Sequence, residues 1–285
     1  MPFSLPYYRD TGELPGPLPD QNEIAQATRT LPKRSDYGGR LVVIRDKFVV
    51  KYGPLVTENE GYALLFVEKR LNIAVPRLYA MYRDQDTLYR DQDILYIVME
   101  YIPGISLGMA WPSLTEANKY SIVEQLRWRY HRLDFTAVST KDPSPIDPII
   151  TGPFQTEEEF GKAIALRSKN IWSESNNHSV FSDYFIRHLP LALHNHPPMF
   201  THGDLHRENV LVRKIVNSVT NEEEYEVAAL VDWESAGWYP SYWEYAHIFP
   251  LLQWIDDWPA YVEKILDPLP LEGAMMWVVF SNMEF

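Results

Sequence analysis

The residues best placed to do chemistry lie in one stretch, Thr201–Val212, which reads THGDLHRENVLV. Two histidines, two acids, an arginine and an asparagine stand among apolar residues, and the closing NVLV reads as a buried strand. A loop tied at both ends to buried backbone is where reactive side chains concentrate. His202, Asp204 and Asn209 have the spacing H-x-D-x-x-x-x-N. In phosphoryl transfer, an aspartate so placed accepts the proton of an attacking hydroxyl, and the asparagine offers its carbonyl oxygen to Mg²⁺. Magnesium takes hard oxygen ligands, few of them from protein, so a second protein ligand is needed. The segment AALVDWESAG supplies it: Asp232 ends an apolar strand 28 residues after Asp204.

A nucleotide's phosphates also need a cation. Lys51 ends the apolar strand FVVKYG, and a glutamate on the next helix should hold it. Glu60 is the candidate, with Glu58 as the fallback; Glu60 also completes a capping-box pattern with Thr57, a competing use of the same side chain. Purely structural roles are open to the same side chains. Asp204, Asn209 and Asp232 could each cap a turn, and Lys51 could be a solvated edge lysine. His202 reads as structural, its ring bonding the loop backbone. His194, His196, His202 and His206 lack the helical spacing of a zinc protease. Glu244, Asp256 and Asp257 could attract a cationic acceptor, although a solvated face accounts for them as well.

The elements that must position these residues follow from pattern. Residues 1–19 are rich in proline and read as an irregular arm, and Asp20 caps a short helix. Leu41–Ile44 and Phe48–Lys51 flank Arg45-Asp46-Lys47 as a hairpin. TENEGYALLFVEKRL reads as a helix, and IAVPRLYAMY and ILYIVMEYI as strands. Between these strands lies a tandem duplication, YRDQDTL then YRDQDIL (Tyr82–Leu95), expected to lengthen the hairpin loop. After Pro103-Gly104 helical signals dominate: Thr115–Leu133, with a capping box at Ser113 and Glu116, Thr156–Ile171, with one at Thr156 and Glu159, and Ser179–Leu193. Short strands return at Met199–Thr201, Val210–Val212 and Val227–Val231, and Tyr242–Phe285 reads as helical. This is an α+β layout. It divides into 1–102, a β-rich N-terminal lobe with one helix, and 103–285, a mostly α C-terminal lobe.

Composition bounds the rest. The 285 residues are 46% hydrophobic and 14% aromatic, enough for a sizeable core. A formal net charge of -13 argues against nucleic acid and anionic membrane as partners and admits cationic small molecules. With no cysteine there are no disulfides, thiol nucleophiles or thiolate metal sites, a composition that suits the cytoplasm. No signal peptide and no membrane-spanning run is expected.

Taken together, HGDLHRENVLV, LVDWESAGWYPSYWEYA, FVVKYG and YIVMEYIPG resemble the aminoglycoside phosphotransferase-like (choline-kinase-like) kinases, especially fungal members with a DWE motif. The resemblance runs in order from about Gly39 to about His247. It implies a bilobal protein-kinase-like fold with ATP in the cleft. It further implies Asp204 as catalytic base, Asn209 and Asp232 as metal ligands, Lys51 on the α/β-phosphates, and Glu60 as its partner. Met99–Ile102, with Met99, Glu100 and Ile102 foremost, becomes the hinge whose backbone bonds adenine. ATP and Mg²⁺ are the implied cofactors, and a small-molecule hydroxyl, on an amine-bearing metabolite among other options, is the implied acceptor. Two departures stand out: no G-x-G-x-x-G precedes Lys51, as is common in this family, and Trp233-Glu234 replaces the Phe-Gly of protein kinases. A nucleotide-binding pseudokinase with a sensing or scaffolding role is the alternative from another class, with a protein kinase third.

Overall fold

The computed structural model describes residues 4–31, 39–86, 92–130, 154–174, 176–216, 218, 221, 223–249 and 256–283. By their internal contacts they fall into two compact units: Met1–Ile122 with Arg207–Ser235, and Val123–His206 with Ala236–Phe285. This grouping differs from the expected 1–102 and 103–285. The hairpin that follows the Asp204 loop joins the first unit because its strands bond to that unit's backbone: Leu230 N–H donates to the Ala74 carbonyl at 2.9 Å.

The first unit is built on a five-stranded antiparallel sheet. In chain order it contains β1 (Tyr7–Tyr8), α1 (Gln21–Gln26), β2 (Arg40–Ile44), β3 (Phe48–Gly53), α2 (Asn59–Arg70), β4 (Leu78–Asp86) and β5 (Gln92–Glu100). The strand order is β1-β4-β5-β3-β2. The irregular arm thus supplies an edge strand, and it is anchored where Arg9 donates to the Leu78 carbonyl at 2.7 Å and pairs with Glu68. Asp20 caps α1 in a reciprocal capping box with Glu23. The hairpin turns on Arg45 and Asp46, both left-handed (φ 55° and 51°), as a tight two-strand turn requires. The duplicated heptad is not a plain loop: Tyr82 pairs with Tyr96 and Asp86 with Gln92, so both copies feed the β4–β5 ladder, while residues 87–91 lie outside the described set.

Alternation along β3 divides its side chains between two faces. Phe48, Val50 and Tyr52 enter one core with Val42, Ile44, Tyr96 and Val98, and stacked Tyr52, Tyr96 and Tyr82 rings fill it. The other face carries Val49 and Lys51. Helix α2 buries Leu64, Leu65 and Val67, at about 1.5–3 kcal/mol each. Downstream come β6 (Ile105–Ser106), α3 (Leu107–Ala110), α4 (Glu116–Tyr130), which runs on into the second unit, then β7 (Pro198–Thr201) of the second unit, and, back in the first, β8 (Val210–Val216) and β9 (Glu223–Leu230); β6, β8 and β9 form a second small sheet in this unit. The strand expected from Val227 starts earlier, because Glu223–Glu226 belong to β9. The expected Ser113–Glu116 box is replaced by Thr115, whose hydroxyl accepts from Asn118 N–H at 3.2 Å.

The second unit is mostly helical. It holds the long helices Glu157–Glu174 and Val180–Ala192, here α5 and α6, then β10 (Gly237–Pro240), α7 (Trp243–Ile248), α8 (Trp258–Ile265) and α9 (Pro270–Ser281). Strands β7 and β10 pair antiparallel. Phe160, Phe185, Leu189, Trp243, Met276 and Val279 form its core. Residues 131–153, including the end of the helix expected to Leu133, lie outside the described set. Among the described residues, no helix is long and apolar enough to cross a membrane.

Candidate active site

In the first unit, three carboxylates converge on Lys51. Its ammonium lies 2.9 Å from Glu60 Oε2, 2.7 Å from Asp232 Oδ1 and 2.8 Å from Glu234 Oε2, and it donates hydrogen bonds to the last two. Lys51 and Glu60 are 6% and 3% exposed. Burial works against the charge on Lys51, but attraction to Glu60, Asp232 and Glu234 outweighs it, and its pKa stands above that of ordinary lysine. Burial pushes the pKa of Glu60 up, opposed chiefly by Lys51.

The competition for Glu60 is settled by where the helix starts. α2 begins at Asn59 with Glu58 as its N-cap, and no side chain bonds the cap, so the Thr57–Glu60 box does not form. Glu60 is left in the first turn, directed at Lys51. Glu58 faces elsewhere, bonded to Tyr62 and Arg83.

Asp232 and Asn209 meet at one end of the β8–β9 hairpin: Val210 pairs with Leu230, and Val231 N–H donates to the Asn209 carbonyl at 3.0 Å. Asp232 takes a left-handed backbone conformation (φ 64°), which aspartate tolerates better than most residues. The turn is pinned on both sides. Fully buried Trp233 donates its indole N–H to the Leu230 carbonyl at 2.9 Å, and Asn59 donates to the Glu234 carbonyl at 2.8 Å. Met99 and Glu100 end β5, where Glu100 N–H bonds the Arg77 carbonyl and Tyr101 N–H the Lys47 carbonyl. Ile102 follows directly.

Asp204 belongs to the second unit, on a loop held from below by a carboxylate. Glu244, 5% exposed on α7, accepts from the backbone N–H groups of His202 (2.7 Å), Gly203 (3.2 Å) and Leu205 (3.2 Å). Burial pushes its pKa up to about 7, against the three donors, which pull it down. Glu244 is therefore not a surface acid awaiting a cation. His202 is structural as expected: it is fully buried and its Nδ1 accepts from Asp204 N–H at 3.3 Å. Gly203 is left-handed (φ 77°), letting the loop turn beneath Asp204. The four histidines of the zinc reading go to different partners: His194 to Asn195, His196 to Glu157 and Glu272, His202 to the loop, and His206 to Asp204.

Sequence reasoning missed two of these residues as site components. Glu234 was visible only as a departure from a glycine, and its spacing from Asp232 was the signal. Glu244 was marked by an acid inside an aromatic helix, a burial pattern that demands hydrogen-bond partners.

A family model described as "Phosphotransferase enzyme family" matches residues 34–267. No curated protein sequence matches the chain. Among solved structures, a thermostable mutant of aminoglycoside phosphotransferase APH(4)-Ia in apo form aligns with a TM-score of 0.58 at 14% identity, over 92% of this chain and 86% of that one. ADP-bound APH(2'')-Ib aligns at 0.56 and 13% identity, over 92% and 88%. The streptomycin-ATP-APH(2'')-IIa ternary complex aligns at 0.55 and 13% identity, over 92% and 87%. The α+β, kinase-like fold read from the sequence is therefore the fold of this chain.

Proposed function

The chain belongs to the phosphotransferase enzyme family, and on that premise we propose that it is an ATP-dependent kinase of small molecules, moving the γ-phosphoryl group of Mg·ATP to a hydroxyl. The observation that carries this reading is the buried Lys51 ammonium gathered with Glu60, Asp232 and Glu234. Three carboxylates around one ammonium leave excess negative charge, and all are hard oxygen donors, so the set fits a divalent cation bound with a polyphosphate. Asp232 and Asn209 would hold magnesium, which when bound neutralises charge on the phosphate oxygens.

Each of the chain's own residues then has a task. Lys51 exchanges a carboxylate for the α/β-phosphates, and Glu60 keeps it extended. The main chain at Met99–Ile102 meets the adenine. Because the N–H groups of Glu100 and Tyr101 are engaged within the sheet and Pro103 has none, Ile102 supplies the donor. Asp204 accepts the proton of the acceptor hydroxyl as its oxygen bonds to phosphorus and the bond to the departing ADP breaks. Positioning and charge stabilisation do most of the work in such transfers. The solved neighbours with ADP, or with ATP and streptomycin, support nucleotide and small-molecule binding. The net charge of -13 is compatible with an amine-bearing acceptor.

Two measurements test the reading. In calorimetry, Asp232→Ala should lose Mg²⁺-dependent ATP binding; unchanged affinity would remove Asp232 from the metal set. In an ADP-release screen of a metabolite extract, Asp204→Ala should lower turnover at least about 10²-fold, and parental turnover would discard Asp204 as base.

A further inference from the structure

Residues 204–206 alternate in burial. Leu205 is 2% exposed and anchors the loop, while Asp204 and His206 on either side of it are partly exposed. The alternation brings two side chains together that are separated by a single residue: His206 Nε2 lies 3.4 Å from Asp204 Oδ2, with 13% and 28% side-chain exposure. The backbone beneath cannot drift, since Glu244 binds the N–H groups on both sides of Asp204. Three neighbours of Asp204 have other occupations. The Nδ1 of His202 accepts the Asp204 N–H. His247 is held neutral by burial, packed against Trp243 and Phe280. Glu244 is spent on the loop backbone.

Resting on the base assignment above, we propose that His206 is the positioning residue of Asp204. Its Nε2–H takes Oδ2 and so presents the other carboxylate oxygen to the acceptor hydroxyl. A carboxylate free to rotate offers either oxygen in many orientations, whereas one tethered at Oδ2 keeps a single lone pair in line with the attacking O–H. Contacts of this kind are often long without substrate and tighten in the reactive complex. The step balances without His206 changing its proton count. The hydroxyl proton passes to Asp204, the new O–P bond forms, and the bridging P–O bond breaks with its electrons going to ADP.

The experiment measures ADP release from Mg·ATP with water as acceptor, together with two-bond ¹H–¹⁵N imidazole spectra of the full chain. His206→Ala should lower kcat about 10-fold or more with KM for ATP unchanged. His206→Gln, whose amide nitrogen reaches the Nε2 position, should recover kcat to within about threefold of the parent. The Asp204→Ala/His206→Ala double variant should be no slower than Asp204→Ala alone, because His206 acts only through Asp204. The His206 ring should show the Nε2–H form, and its ¹⁵N shifts should move in Asp204→Ala. Additive losses in the double variant, a glutamine no better than alanine, or ring shifts indifferent to Asp204→Ala would each overturn the positioning role. Parental ADP release by Asp204→Ala, with the ring shifts still responding, would instead overturn the base assignment and this role with it.

Discussion

Replacing Glu244 by glutamine should alter how stability depends on pH more than stability at any one pH. The ordinary carboxyl value is 4.5, and burial in the fold raises it to about 7. The unfolded chain therefore releases this proton first. The contribution of Glu244 to stability is complete below pH 4.5 and is lost as pH rises through 7. Between pH 5 and pH 8 a separation of this size is about 2–3 kcal/mol. Glutamine keeps the length and one acceptor oxygen and cannot titrate. Its amide must turn an N–H₂ toward a backbone N–H that the carboxylate accepted, an offset of about 1–3 kcal/mol that does not vary with pH. The assay is urea unfolding followed by tryptophan fluorescence, parent against Glu244→Gln, at steps from pH 5 to pH 8. Other titrating groups cancel in the difference. The parent's advantage should shrink by about 2–3 kcal/mol on going to pH 8. A constant gap, or one that grows with pH, would show that Glu244 is not a buried carboxyl with a raised pKa.

Lys51→Met should lower stability by about 3–5 kcal/mol, because it leaves Glu60 buried beside two further acids without a cation; adding Glu60→Gln should recover part of that loss in thermal melts. If the double variant melts no higher than the single, the pair is not the source of the loss. Gly39→Ala should cost about 2 kcal/mol or more by urea unfolding, since the residue has φ 74° and an added Cβ would sit 2.6 Å from the Tyr52 carbonyl oxygen; parental stability would refute that close approach.

Much of the architecture was legible because local chemistry and tertiary demand agree. Asp20 with Glu23, Thr156 with Glu159, and Ser179 mark helix starts that the structure keeps. The strands FVVKYG and ILYIVMEY are apolar runs of strand length and sit in the middle of the sheet, where neighbours exist on both sides. Legibility failed where a side chain had two possible partners. Thr57 and Glu60 satisfy a capping pattern, yet a buried ammonium outbids a solvent-exposed cap, so the helix starts at Asn59 and Glu60 turns to Lys51. The duplicated YRDQD heptads look like loop from their charge, but β4 and β5 continue into them as the ladder adds backbone bonds residue by residue.

The sequence by itself determined which chemistry is available. The order Lys51, Glu60, Asp204, Asn209, Asp232 and the absence of cysteine make oxygen donors and a lysine ammonium available, and no thiol. Only tertiary structure decided how charge is shared. That Glu234 joins Asp232 on Lys51, and that Glu244 disappears beneath the Asp204 loop rather than facing solvent, depends on contacts between residues 183 and 42 positions apart. No local pattern encodes such contacts, because the energy of a charge depends on what surrounds it in space, and burial is a property of the folded chain.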